Sequence, residues 1–342
     1  MASQLLLLSL FVNFLIFIDA QGLGVCYGRL GNLSSAQDVV NLYNQNGITR
    51  MRIYNPQSDT LEALRKTKIE LMIDVPNVQL ESLNDLSAAK DWVRDNIQNY
   101  QNVNFRYIAV GNEVDPNSEN LANRGFVKFV LPAMKNVHQA IKDANLDSQI
   151  KVSTATYAGL LGDSYPPSIC QYRDQTVKDF MKPIIEFLVQ IKSPMLANIY
   201  PYFAYRDDPA NVDRSYALFE PAPSPPPDNG RVYTNLFDAM LDAHYAAQES
   251  LGVGKLDIVV SESGWPSEGH EFATLDNAKT YYQNLINHVK TDKRTPARLG
   301  TPIQVYLFAM FDEDDKPGEP TEKHFGLFTA GQMPMPKYGL TF

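Results

Sequence analysis

Short apolar segments recur along this chain with longer stretches of helical spacing between most of them, and this alternation is the strongest constraint on its fold. The predicted strands are residues 22–27, 50–54, 69–75, 105–110, 150–155, 195–200, 256–261 and 303–309. The predicted helices, with apolar residues three and four positions apart, are 34–46, 81–99, 124–143, 174–192, 232–250 and 273–291. Continuously apolar strands joined by helices indicate a parallel sheet that is covered on both faces.

Eight such units predict the α/β class and, within it, a closed (β/α)₈ TIM barrel in a single domain. Active sites of such barrels lie at the C-terminal ends of the strands. A doubly wound open sheet is the alternative, and it usually has a glycine-rich phosphate-binding turn after the first strand. The residues at that place, Gly28-Arg29-Leu30-Gly31, do not have that pattern. A length of 342 residues alone would allow two domains, but we find no linker and no internal repeat.

The N-terminus is apolar in a way that differs from the predicted strands. An apolar run begins at Leu5, continues through Ile18 and is followed by Asp19-Ala20. The run is short for a membrane span and resembles the apolar core of a secretory signal peptide. We therefore predict a signal peptide over residues 1–20 and the folded domain over 21–342. The alternative is a buried N-terminal strand or a retained anchor.

The net charge and the positions of cysteine and histidine limit the kinds of molecule and metal ion that this protein is expected to bind. A net charge of −9 argues against nucleic acid or an anionic membrane as a partner, and it is compatible with a neutral substrate. The histidines are scattered, no Cys/His spacing is typical of a metal site, and we expect no cofactor. Cys26 lies in an apolar strand and is predicted to be a buried free thiol, although a disulfide with Cys170 stays open. Asn32 begins an Asn-Leu-Ser glycosylation sequon.

Two glutamates follow apolar strands at the predicted mouth of the barrel. Glu113 ends the string Ala-Val-Gly-Asn-Glu after the fourth strand, and Glu262 follows Val260-Ser261 in the seventh. A single glutamate after a strand is usually a salt-bridge or capping residue, but two at the same mouth suggest paired chemistry. Cleavage of a glycosidic bond needs one carboxylic acid to protonate the leaving oxygen and one carboxylate to attack the anomeric carbon or activate water.

Other residues near these strand ends could support the pair. Asn112 could donate a hydrogen bond to a sugar hydroxyl, and Trp265 could form an apolar platform for a sugar ring. The charged run Asp312–Lys316 follows the eighth strand; it is either a solvated surface or, through its lysine, a modulator of the glutamates. Residues 204–231 are rich in proline, so we predict neither helix nor central strand there. This segment is either a solvated loop or a wall of the cleft.

Several strings resemble a known family over nearly the whole mature chain. VGNE, SESGWPS and FAMFDEDDKPGEPTEKHFGLF, together with RIYNP, YPYFAY and FVLPAM, look like plant endo-1,3-β-glucanases of glycoside hydrolase family 17. The resemblance implies a (β/α)₈ barrel and retaining hydrolysis of a β-1,3-glucan such as callose or fungal wall glucan. The C-terminal vacuolar or lipid-anchor tail of some family members is not seen in this sequence, so we expect a secreted protein in the apoplast or cell wall rather than the vacuole, without a membrane anchor. We also expect a monomer.

The resemblance also assigns roles by position. It makes Glu113 the acid/base and Glu262 the nucleophile. Supporting roles fall on three residues of the family's Glu-x-x-Lys-(x)₅-Glu pattern: Glu313, Lys316 and Glu322. The sugar contacts that it implies are Asn112, Tyr27, Tyr54, Tyr200, Phe203, Trp265 and Phe325.

Departures from the family pattern are few. Asp314 replaces a common asparagine, and the Pro-rich run 221–227 is unusual, which bears on the shape of the cleft. The alternatives are a glucanase that prefers mixed 1,3-1,4 linkages and a non-catalytic glucan-binding wall protein. The latter class usually lacks one catalytic carboxylate, and both are present here. A different barrel enzyme would need a cofactor or metal motif that the sequence does not contain.

Overall fold

A computed structural model describes residues 22–223, 227–291 and 294–342. The predicted signal peptide lies outside the described residues. Within them, parallel strands pair in chain order and the last pairs with the first, so the sheet is a closed barrel. The strands β1 to β8 are Leu23–Tyr27, Arg50–Ile53, Glu70–Val75, Asn104–Asn112, Lys151–Tyr157, Met195–Asn198, Ile258–Ser263 and Val305–Leu307. The predicted (β/α)₈ barrel is therefore confirmed.

Helices surround this barrel. The α-helices α1 to α9 are Ala36–Gln45, Ser58–Leu64, Leu86–Asn96, Leu121–Asp143, Gln175–Ile191, Pro201–Asp207, Arg214–Ala217, Leu236–Ser250 and Leu275–Lys290. Short 3₁₀ helices are Asn77–Gln79, Ser82–Asn84, Gln98–Tyr100, Ala158–Leu160, Pro167–Ile169 and Pro320–Lys323. The side chains of Ser35, Asn235 and Thr274 accept backbone N–H bonds at the starts of α1, α8 and α9. These caps satisfy donors that have no partner within the helix.

The Pro-rich segment corrects one prediction. Helix α6 overlaps residues 204–207 and α7 lies wholly within 204–231, where we expected no helix. Both helices avoid the prolines of the segment, because Pro209 follows α6 and Pro221 follows α7. Pro201 occupies the first position of α6, where the missing N–H is not needed. Asp213 starts α7 by accepting two backbone N–H bonds.

Burial follows from the barrel topology. Every residue of β1, β2, β7 and β8 is buried, as expected for parallel strands packed on both faces. Cys26 and Cys170 are both buried free thiols, so the predicted free Cys26 is confirmed and the disulfide is excluded. Among the described helices, none is both long and apolar enough to cross a membrane.

The first and last strands of the barrel pair with each other, and the loops that follow them form part of the barrel's C-terminal mouth. Strands β1 and β8 pair in parallel, with Val25 opposite Leu307. The chain after β8 folds back beside the loop that follows β1, and the backbone N–H of Leu30 donates to Glu313 Oε1 at 2.9 Å. Gly28 makes this approach possible, because a Cβ atom there would lie 2.3 Å from the same carboxylate oxygen. Residues from the two ends of the domain therefore share one wall of the mouth.

Candidate active site

The C-terminal ends of the strands surround a cavity of about 590 Å³. Glu113 and Glu262 both line it, so the structure brings together the two glutamates predicted from sequence. Glu113 follows β4 directly, and Glu262 is the penultimate residue of β7. Their side chains reach the same space from opposite halves of the barrel.

Three donors surround the carboxylate of Glu262. Tyr54 donates its hydroxyl to Glu262 Oε1 at 2.9 Å, and Tyr200 donates to Oε2 at 2.6 Å. Arg52 Nη1 donates to Oε1 at 2.8 Å and forms an ion pair with this carboxylate. Glu262 is buried at 6% exposure, and these three donors hold its carboxylate in a fixed orientation.

Arg52 is the centre of this network, although the sequence analysis did not single it out. Its guanidinium is fully buried and pairs with Asp74 through Nη2 at 2.7 Å and through Nε at 3.2 Å. Such a bidentate pair orients the guanidinium plane. Burial, partly offset by Arg52, raises the pKa of Asp74 to about 6. A sequence signal existed, because β2 and β3 each contain two charged residues among apolar ones, and a charged residue within a buried strand needs a compensating contact.

Glu113 has a different environment. Asn198 Nδ2 donates to Glu113 Oε1 at 2.7 Å, and no arginine or tyrosine in the described residues forms a hydrogen bond with this carboxyl. Burial first, and then the neighbouring charge of Glu262, raise the pKa of Glu113 to about 7. The backbone of Glu113 is left-handed with φ at +51°, which is uncommon for a residue that is not glycine. The N–H of Glu113 nevertheless bonds to Ala155 O at 2.9 Å, so the turn is fixed to β5.

Asn112 connects the two environments. Its Oδ1 accepts from Arg52 Nη2 at 2.9 Å and from Asn198 Nδ2 at 3.1 Å. Asn77 holds its backbone by bonding both the N–H and the C=O of Asn112. Because the side-chain oxygen is occupied, the Nδ2 group of Asn112 remains as a donor facing the cavity that this residue lines. This arrangement fits the predicted bond to a sugar hydroxyl.

The predicted supporting residues line the same cavity. Lys316 Nζ lies 2.9 Å from Glu322 Oε2 and 4.3 Å from the centre of the Phe308 ring. Glu313 accepts the Leu30 N–H described above, and burial raises its pKa. The charged run after β8 is thus divided: Glu313 is buried, whereas Asp314 and its neighbour Asp315 are exposed.

Of the aromatic side chains predicted to contact sugar, all but one line this cavity. Those in the lining are Tyr27, Tyr54, Tyr200, Phe203 and Phe325. Trp265 is the exception, and the structure corrects this prediction: its side chain is fully buried, and its Nε1 donates to Phe272 O at 3.0 Å. Trp265 packs beneath Tyr202 with ring centres 5.2 Å apart and therefore supports the cleft from inside the core.

A second cavity, of about 1100 Å³, continues from the first. Glu113, Tyr200, Phe203 and Glu322 line both cavities, so the two form one groove with the glutamates near its middle. The second cavity extends along the ends of β5 and β6 and past helices α6, α7 and α8. Pro223 belongs to its lining, which supports the interpretation of the Pro-rich segment as a wall of the cleft.

The predicted glycosylation sequon combines an exposed asparagine with a buried serine. Asn32 is exposed, and its Oδ1 accepts from Gln332 Nε2 at 2.8 Å. Ser34 of the sequon is buried and donates to the backbone carbonyl of Gln332 at 3.1 Å. Among the described residues, no group of three or more His, Cys, Asp or Glu side chains could hold a metal ion.

Two carboxyl groups that line one groove at the C-terminal mouth of a (β/α)₈ barrel, one of them with a pKa raised to about 7, form the arrangement that a glycoside hydrolase needs. A family model described as "Glycosyl hydrolases family 17" matches residues 23–342. The chain belongs to this family.

Characterised relatives agree with this assignment. A glucan endo-1,3-beta-glucosidase of Vitis vinifera is 56% identical over 98% of this chain and 96% of its own length. CJP38, a beta-1,3-glucanase and pollen allergen of Cryptomeria japonica, has a solved structure with a TM-score of 0.89 and 45% identity, covering 94% of this chain and 99% of that one. One of two plant beta-glucan endohydrolases with distinct substrate specificities has a TM-score of 0.86 and 40% identity, over 93% of this chain and all of its own.

Proposed function

We propose that this chain hydrolyses internal β-1,3-glucosidic bonds of β-glucans with retention of anomeric configuration. The observation that carries the proposal is the asymmetry of the pair: Glu262 is held by three donors, whereas Glu113 has a pKa raised to about 7 in the same cavity. A carboxyl with a raised pKa is a general acid near neutral pH, and a fixed carboxylate is a nucleophile.

The first step forms a covalent bond to the enzyme. Glu262 attacks the anomeric carbon while Glu113 gives its proton to the glycosidic oxygen, so the leaving chain departs as a neutral alcohol. Arg52, Tyr54 and Tyr200 hold the attacking carboxylate in place. In the second step Glu113, now ionised, removes a proton from water, and that water attacks the anomeric carbon and releases Glu262.

Neighbouring residues stabilise the transition state in this proposal. Asn112 donates from Nδ2 to the hydroxyl next to the anomeric carbon, a bond that strengthens as positive charge develops on the sugar. The pairing of Lys316 with Glu322 positions the lysine in the cavity without adding a net charge that would destabilise an oxocarbenium-like transition state.

The two cavities bind different parts of the substrate in this proposal. The first cavity holds both glutamates and takes the sugar whose anomeric carbon is attacked. Among the described residues that line the second cavity, Glu113 is present and Glu262 is not, so this part takes the leaving portion of the chain. Because the groove extends on both sides of the two glutamates, a polymer can bind along its whole length, which favours cleavage at internal bonds.

The linkage is proposed from the relatives, which are named for endo-1,3-β-glucosidase activity. The test is to incubate the protein with laminarin and, separately, with barley mixed-linkage glucan, and to size the products over time. We expect laminarin to yield a ladder of oligosaccharides from the earliest times. Faster release from the barley glucan would favour the mixed-linkage alternative, and binding without release from either polymer would favour a non-catalytic glucan-binding protein.

We also propose that the protein acts outside the cell, on the strength of the apolar segment at residues 5–18. Purification from the natural tissue followed by N-terminal sequencing would test this. A mature protein that starts near Gln21 supports the proposal, and one that retains residues 1–20 contradicts it.

A further inference from the structure

Tyr165 is exposed in a way that core packing does not explain. Its side chain is 59% exposed, and no other aromatic side chain of the described residues belongs to the exposed class. A large ring that stays exposed to water contributes little buried apolar area to the stability of the fold. Single exposed apolar residues are common, so the position of the ring decides whether it has a role.

The position is within the groove. Tyr165 lines the second cavity, the part of the groove that continues past Glu113. Tyr216 of α7 lines the same cavity, and burial first, then the nearby Tyr165, raise the pKa of Tyr216. The loop between β5 and α5 and the helix α7 therefore meet at this point of the groove and form a tyrosine-lined section of its wall.

The loop that carries Tyr165 is held at both its base and its tip. At the base, Gly162 N bonds to Gln171 O at 2.8 Å and Arg173 N bonds to Leu160 O at 3.1 Å. At the tip, the backbone N–H of Ser168 donates to Asp228 Oδ2 at 2.8 Å, which ties the loop to the segment before α8. A ring presented from an anchored backbone loses little conformational entropy when a ligand packs on it.

We propose that Tyr165 is a stacking platform for a glucosyl unit of the leaving portion of the glucan, beyond the sugar next to the cleaved bond. This inference rests on the proposed function and on the direction of the groove assigned above. Pyranose rings present C–H faces that pack on aromatic faces, and burial of apolar area drives that contact. Tyr165 thereby sets the preference of the enzyme for long chains rather than taking part in the chemistry.

The consequence is specific to substrate length. A contact that is equally strong in the ground state and in the transition state lowers KM and leaves kcat unchanged. Tyr165→Ala is expected to raise KM about 3- to 10-fold for long laminari-oligosaccharides, the loss that one aromatic contact of about 1 kcal/mol produces. Short substrates that do not reach Tyr165 keep their wild-type KM.

The experiment measures kcat and KM for a series from laminaritriose to laminarioctaose, with the reducing end labelled by ¹⁸O so that mass spectrometry reports the bond cleaved. In Tyr165→Ala, cleavage shifts so that the labelled leaving fragments become shorter. Tyr165→Phe keeps the wild-type pattern because it keeps the ring. The matched control is Ile169→Ala, which removes an equally exposed side chain (59%) from the same loop, outside the described lining of the groove.

The outcomes separate this inference from the proposed function. Wild-type protein that does not cleave the series contradicts the proposed function. If wild-type protein cleaves and Tyr165→Ala keeps both its KM for long substrates and its bond preference, the stacking platform is wrong. A change in Tyr165→Phe as large as that in Tyr165→Ala also overturns it, because the hydroxyl rather than the ring would then bind. Equal changes in Ile169→Ala would assign the effect to the loop as a whole.

Discussion

The surroundings of Glu262 and of Glu113 differ more than their shared cavity suggests. Glu262 lies within a strand and accepts bonds from one guanidinium and two phenols. Glu113 lies just past a strand, in a left-handed conformation, and accepts one bond from an amide. The difference teaches how one barrel gives two residues of the same type different surroundings: three donors fix the carboxylate of Glu262, whereas burial and the charge of Glu262 raise the pKa of Glu113.

The largest effect should follow the loss of the proposed nucleophile. We expect Glu262→Gln to lower kcat on laminarin at least about 10⁴-fold, since no bond to the anomeric carbon can form. Reducing-sugar release is the measurement. Glu268→Gln is the matched control, because Glu268 follows the same strand but its side chain is 76% exposed. Activity within tenfold of wild type in Glu262→Gln would refute the nucleophile role.

Removal of the proposed acid should have a smaller effect that depends on the leaving group. Glu113→Gln is expected to lower kcat on laminarin about 10²- to 10⁴-fold, the usual contribution of a general acid. Its first step on an activated aryl β-glucoside should be nearly unchanged, because that leaving group needs no proton. Equal slowing on both substrates would contradict the assignment. Glu119→Gln, an exposed position in the following loop, serves as the control.

The donors of Glu262 can be weakened without removing the carboxylate. Arg52→Lys keeps a positive charge but loses the bidentate contact with Asp74, so the remaining ammonium cannot reach all of the same partners. We expect kcat to fall about 10- to 100-fold, the loss of one or two hydrogen bonds to a charged group. Arg50→Lys, on the same strand but paired with Glu70 at its other end, should leave kcat close to wild type.

The raised pKa of Glu113 predicts how kcat/KM depends on pH. The proposed mechanism requires this carboxyl to be protonated, and its pKa is raised to about 7, so kcat/KM on laminarin should fall above about pH 7. The decline should approach tenfold per pH unit. The same profile for Glu113→Gln on an activated aryl glucoside should lack this alkaline limb, and persistence of the limb would assign it to another group.

The smallest expected effect concerns stability. The pKa of Glu113 is raised from 4.5 to about 7, so the folded state binds this proton more tightly than the unfolded chain. The stability that the proton contributes is complete below about pH 4.5 and is lost as the pH rises through about 7. Glu113→Gln should therefore match wild type at pH 4 and exceed its Tm by about 2–5 °C at pH 8, measured by calorimetry. A lower Tm than wild type at pH 8 would contradict this.

The sequence was sufficient for the barrel because an apolar strand is recognisable in all eight units and a helical periodicity follows in most of them. It was sufficient to predict that Glu113, Glu262 and the supporting residues lie together, because the family motifs contain them and all of them line one cavity. It was not sufficient for Arg52, Asp74 and Asn198, since these residues lie on three separate strands and only barrel closure brings them together. The prediction that Trp265 contacts sugar was wrong. A tryptophan three residues after Glu262 suggests a sugar platform, but the side chain of Trp265 lies in the core, where it packs on Tyr202 and donates to the backbone of Phe272.

The contact of Gly28 and Leu30 with Glu313 has a consequence for biosynthesis. A ribosome makes Glu113 and then Glu262 before β8, yet the wall of the mouth is completed only when β8 pairs with β1. While the residues between Glu262 and β8 are added, the growing chain therefore carries both glutamates without the completed cleft. Hydrolytic activity should appear late in synthesis and in one step, when the first and last strands of the domain join.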